Sequence, residues 1–169
     1  MDKSYYIRLR NQFTPEPVKL ILILESPPIS GKYFYDETGK PSEPLFSELM
    51  KFLKYNPADK KDGLSFFQKK GILLMDVTYK PVNHLKGKLR NDTILSDFDS
   101  LTADLRDHCS INSTRVILIK ANICKLLEPK LLESGFPVIN QGVVIPFPST
   151  GQQKRFHAEI MKIIDPADL

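Results

Sequence analysis

The chain has 169 residues, 41% hydrophobic and 26% charged. That is enough apolar material for one domain over 1–169, and it excludes a disordered tail or a membrane-spanning protein. Lys and Arg number 24 against 20 Asp and Glu, a net +4, which permits a nucleic-acid partner without requiring one. Two cysteines, Cys109 and Cys124, are too few for a disulfide framework, a four-cysteine zinc site or an iron–sulfur cluster.

The first predicted element is a strand over 18–24, an apolar run broken only by Lys19 and far too short to cross a bilayer. Met1-Asp2-Lys3-Ser4 has no apolar stretch behind it, so no signal peptide and a cytoplasmic setting are expected. A helix follows over 42–54, with Leu45, Phe46, Leu49, Met50, Phe52 and Leu53 as its apolar positions, Ser42 as N-cap and Pro44 in the first turn. The lysine-rich stretch 51–70 carries Asn56-Pro57 and Asp62-Gly63 and reads as edge loop. A second strand spans 71–77. Behind it, 80–90 holds Lys80, Lys86, Lys88, Arg90 and His84 without an acid, and also reads as loop.

One helix is predicted over 94–105, on the stripe Ile94, Leu95, Phe98, Leu101 and Leu105. A third strand covers 115–119 and a helix 122–132, interrupted at Pro129. A fourth strand runs from 136–139 toward 143–145, and a last helix covers 152–164. The strands are apolar without alternation, as in a parallel sheet buried on both faces. The expected fold is a three-layer α/β/α sandwich around a mostly parallel four-stranded sheet, and the expected state is a monomer.

In such sheets ligands bind beyond the C-terminal strand ends. The tips are Glu25-Ser26-Pro27-Pro28, Asp76-Val77-Thr78-Tyr79-Lys80-Pro81, Lys120-Ala121-Asn122 and Pro146-Phe147-Pro148-Ser149-Thr150-Gly151. Ser30-Gly31-Lys32 is no P-loop, because Ser26 and Tyr33 occupy the flanking motif positions and Pro27 and Pro28 lack the N–H donors of a phosphate cradle. At the last tip Ser149 or Thr150 can cap the helix. Lys154 and Arg155 fall in its opening turns, where cations are unfavourable unless an anion is bound.

Together these segments resemble the uracil-DNA glycosylase superfamily. Gly71-Ile72-Leu73-Leu74-Met75-Asp76 is similar to that family's Gly-Val-Leu-Leu-Leu-Asn segment, and Glu25-Ser26-Pro27-Pro28 to the Glu-Ala-Pro-Gly turn of its thermophilic branch. Phe147-Pro148-Ser149 sits where the family has His-Pro-Ser. The resemblance implies a DNA glycosylase, acting without metal or organic cofactor, that turns a base out of the stack and hydrolyses its bond to deoxyribose. It assigns Glu25 to the sugar cation or its water, with Ser26 as water ligand; Ser26 stands where the best-known branch has its catalytic Asp. Phe46 matches the family's stacking Phe. Tyr33, Phe34 and Tyr35 are rivals, and Phe147 would also face the base. Lys80, Lys86, Lys88, Ser149, Thr150, Lys154 and Arg155 would hold DNA.

Two departures shape the expectation. Asp76 replaces the amide that reads uracil; a carboxylate accepts from the N4 amino group of cytosine, so a cytosine-type base, modified or not, is preferred over uracil. Phe147 replaces the His that donates to the leaving base's O2. Either backbone N–H groups near Ser149 replace it, or His84 does, or catalysis is slow, or the chain is a glycosylase-fold module that binds DNA or protein without chemistry. A flavodoxin-like binder of a phosphorylated small molecule is the remaining reading.

Overall fold

The computed structural model describes residues 2–169. Its centre is a parallel, open, three-stranded sheet in the order β2-β1-β3. The strands are β1 (Leu20–Leu24), β2 (Ile72–Asp76) and β3 (Arg115–Leu118). All of β1 and β2 is buried, which accounts for the unbroken apolar runs. Leu24 pairs with Asp76 at the end of the β1–β2 register, so two tips lie side by side. Among the described residues seven α-helices surround the sheet: α1 (Lys3–Asn11), α2 (Pro44–Phe52), α3 (Lys60–Lys69), α4 (Gly87–Ser96), α5 (Phe98–His108), α6 (Ala121–Glu133) and α7 (Gln153–Ile163). The arrangement is α/β and compatible with a layered sandwich.

The expected fourth strand does not form. Its segment touches β3 through two isolated parallel bridges, Val116 with Val138 and Ile119 with Ile145. Between them the chain bulges, and the Asn140 side chain takes the place of the missing backbone. Its Oδ1 accepts from the Leu118 N–H and its Nδ2 donates to the Leu118 carbonyl, both at 2.9 Å. On the other edge, the Leu74 N–H of β2 donates to the Tyr35 hydroxyl at 2.7 Å. At Leu118 and at Leu74, backbone polar groups on either side of the sheet are thus satisfied by side chains.

Several helix expectations also change. α1 was not foreseen. α3 occupies part of the stretch read as loop; its first residue, Lys60, is buried, and its ammonium donates to the Tyr33 carbonyl at 2.8 Å and to Glu43 at 2.7 Å. This pair fixes the 31–43 loop. Gly63 lets α3 press against α2, because a Cβ there would lie 2.4 Å from the Phe46 ring. The helix expected over 94–105 is two, meeting at Asp97, whose carboxylate turns away to accept from Thr78 and Lys80 at 2.6 and 3.0 Å. α4 begins inside the expected 80–90 loop. α6 passes through Pro129 without a break. Neither Ser42 nor Ser149 nor Thr150 caps a helix: the N-cap residues of α2 and α7 are Glu43 and Gln152, without side-chain caps.

Candidate functional site

A cavity of about 360 Å³ opens at the C-terminal edge of the sheet. This is the low end of the ~300–1,000 Å³ usual for small-ligand sites. Glu25 and Ser26 line it from β1, Asp76 from β2, Ile119 and Lys120 from β3, and Phe147 from the bridged segment. Phe34, Leu45 and Phe46 form apolar wall, with the rings of Phe34 and Phe46 5.8 Å apart at 50°. The stiff Pro27-Pro28 turn completes the rim.

Glu25 is buried, yet its carboxylate collects four hydrogen bonds. Arg90 Nε donates to Oε1 at 2.7 Å and Lys120 Nζ to Oε2 at 2.5 Å. Arg90 Nη2 donates to Oε2 and Asn122 Nδ2 to Oε1. Four donors use the ~four lone-pair sites a carboxylate has. Burial alone would raise its pKa, but the Arg90, Lys120 and Asn122 bonds outweigh it and hold the group below the usual range.

Asp76 has the opposite surroundings. It is 5% exposed, and its Oδ2 is buried without a hydrogen-bond partner. Burial pushes its pKa up to about 7; Arg10 opposes the shift and the Glu25 charge adds to it. It therefore keeps its proton to a higher pH than an ordinary carboxyl, and while protonated it offers one O–H donor beside an acceptor. The Tyr33 hydroxyl, on a cavity-lining residue, is likewise buried and unpartnered. Both residues line the cavity, while these two oxygens themselves have no contact with solvent.

The expected site residues divide clearly. Glu25, Ser26, Asp76, Phe34, Phe46 and Phe147 share the cavity. Ser26 Oγ accepts from the Val82 N–H at 3.2 Å, tying down the loop after β2. Tyr35 is fully buried on the β2 edge and does not line the cavity. Lys80 is paired with Asp97 and lines a separate shallow hollow with Lys3 and Tyr79. His84, Lys86, Lys88, Ser149, Thr150, Lys154 and Arg155 are exposed and outside the cavity wall. Among the described residues no cluster of His, Cys, Asp and Glu could hold a metal ion, and no helix is long and apolar enough to cross a membrane.

Lys120 and Asn122 carry no individual role in the sequence expectation, and Arg90 enters it only as the end of the 80–90 loop expected to help hold DNA. Lys120 and Asn122 sit on the third strand tip, which the strand-end rule flags. Arg90 lay in a cation run and shows no sign in the sequence that it reaches back to Glu25. Compared with family models, curated proteins and solved structures, the chain gives no significant match.

Proposed function

We propose that this protein is a divergent relative of the uracil-DNA glycosylases that hydrolyses the N-glycosidic bond of a pyrimidine turned out of DNA. The observation carrying this reading is that two carboxyls, one with its pKa lowered and one with its pKa raised, and three phenylalanines, from separate parts of the chain, line one small cavity. The base would enter between Phe34, Phe46 and Phe147, and burial of its faces would repay part of the cost of unstacking. Asp76 would pair with its edge. Neutral, Asp76 matches the N4–H/N3 edge of cytosine or the O4/N3–H edge of uracil; ionised, it only accepts and favours the cytosine amino group. Glu25 would lie beside C1′, where its fixed negative charge stabilises the oxocarbenium-like sugar. Its lone pairs are occupied in the free protein, so it acts through charge, and Ser26 is left to position water. Exposed Lys86, Lys88, Lys154 and Arg155 would meet phosphates.

One observation favours a second reading. With four donors on Glu25 and Phe147 in place of a donor, the chain would serve as a glycosylase-fold module that binds DNA or protein without chemistry. One experiment separates the readings. Duplex and single-stranded DNA carrying uracil, cytosine, 5-hydroxymethylcytosine or glucosylated cytosine is incubated with the protein and treated with alkali. Strand breaks at the target base, absent with Glu25→Gln, support the enzyme. Intact DNA with salt-sensitive binding supports a DNA-binding module, and intact DNA without binding rejects the enzyme and the DNA-binding module, leaving the protein-binding one.

A further inference from the structure

We propose that Lys120 is the group that takes up the negative charge of the departing base, the role left open by Phe147; this inference rests on the glycosylase reading above. Lys120 lines the cavity, as does Phe147. Its backbone N–H donates to the Ile145 carbonyl at 2.8 Å, which locks the third tip against the segment that carries Phe147. Its ammonium spends one N–H on Glu25 Oε2. An ammonium has three donors, so two remain. Of the two lysines on the cavity wall, Lys32 is exposed on the loop after β1, whereas Lys120 is held against Glu25.

The backbone supports a position imposed by the site. Among the described residues two that are not glycine have positive φ, Lys54 at 55° and Lys120 at 92°. Lys54 closes α2 in a standard left-handed cap, with the Tyr55 N–H on the Met50 carbonyl and its own N–H on Lys51, both at 3.0 Å. Lys120 belongs to no such cap. It sits at the sharp turn from β3 into α6, in a conformation that costs a side-chain-bearing residue about 1–3 kcal/mol. A glycine would relieve the strain but would bring no ammonium to the cavity.

The chemistry follows from the direction of the ion pair. As the C1′–N1 bond breaks, its electron pair leaves with the base and spreads onto O2, and the sugar becomes cationic. Water adds to C1′ and releases one proton; the base anion takes one up. Glu25 and Lys120, 2.5 Å apart, form a fixed dipole. With the carboxylate beside C1′ and the ammonium beside O2, it opposes the dipole that bond cleavage creates. Such preorganised charge acts without reorganisation during the reaction.

The test is Lys120→Met in the full chain, assayed on DNA carrying deoxyuridine or deoxycytidine, whichever the wild type cleaves, and on its 5-fluoro counterpart, a better leaving base. Removing one such donor is expected to slow release about 100-fold on the ordinary base and clearly less on the fluorinated one. Lys120→Arg should recover part of the loss. Asn122→Ala removes another Glu25 donor and should slow both substrates equally. Thermal melting identifies any variant that has not folded, in which case Lys120→Gln and Lys120→Arg carry the comparison. Equal losses on both bases for the lysine variants, or no loss, overturn the assignment while leaving the glycosylase reading intact. A wild type that releases no base overturns both.

Discussion

The tips of β1 and β2 end side by side in register, each on an acid, and the two acids have opposite fates. Glu25 is met by an arginine from α4, a lysine at the end of β3 and an asparagine in the first turn of α6. Asp76, one strand away, has an Oδ2 without a partner and Arg10 only as a distant cation. Both side chains are about 5% exposed, and burial raises the pKa of each; only at Glu25 do donors from Arg90, Lys120 and Asn122 overcome it. Neighbouring carboxyls pushed apart in pKa are a common basis for dividing acid and base roles in an active site.

The largest effect that could break this comparison is on base release. Glu25→Gln keeps the shape but loses the fixed charge, and release should fall by about 1,000-fold or more. Asp76→Asn keeps one donor and one acceptor, so release of uracil should persist. In the wild type the preference for cytosine over uracil should rise as pH passes through about 7, where Asp76 ionises. In Asp76→Asn that pH trend should vanish. A variant that keeps the trend removes Asp76 from base reading.

Stability against pH sharpens the same contrast. Asp76 has a folded pKa of about 7 against an ordinary 3.8. Between these values the folded state holds a proton that the unfolded chain has lost. Its contribution is thus complete below about pH 4 and falls as pH rises toward 7, by on the order of 4 kcal/mol. Glu25 works in the other direction: its pKa is lowered from 4.5, so its contribution is present above that value and is lost on acidification. Denaturant melts of wild type and Asp76→Asn should converge near pH 4 and diverge in favour of the variant by pH 8. Parallel curves would show that Asp76 is not held protonated by the fold.

The smallest effect concerns two tyrosines beside the β2 tip. Tyr35→Phe strips the Leu74 N–H of its acceptor and should cost about 1–2 kcal/mol. Tyr33→Phe removes a hydroxyl that has no partner and should leave stability unchanged or slightly higher. Chemical denaturation of the pair measures the difference, and equal losses would mean that the Tyr33 hydroxyl is satisfied in solution.

The three strands and the four tips were legible in the sequence because parallel strands buried on both faces leave long apolar runs. Glu25, Asp76 and Phe147 could be placed near one edge for the same reason, whereas Phe34 and Phe46 were reached only through the family resemblance. The missing fourth strand was not legible, since 136–145 is apolar enough for a strand and only the bulge around Asn140 shows that its pairing is interrupted. α3 was hidden by its lysines: the pattern of Lys60 and Lys61 looks solvated, yet Lys60 is buried on Tyr33 and Glu43. Arg90, Lys120 and Asn122 escaped because their function lies in converging on one carboxylate across 65 to 97 residues of chain, a relation that local patterns do not carry.

The claim that a charged Glu25 and a cavity-lining Asp76 act together on one extruded pyrimidine is tested most directly by counting products. Free base and abasic DNA are quantified by mass spectrometry after incubation with wild type and with Glu25→Gln. The account predicts equal amounts of the two from the wild type and neither above background from the variant. Absence of both products from the wild type on every base offered, or their undiminished formation by Glu25→Gln, would contradict it.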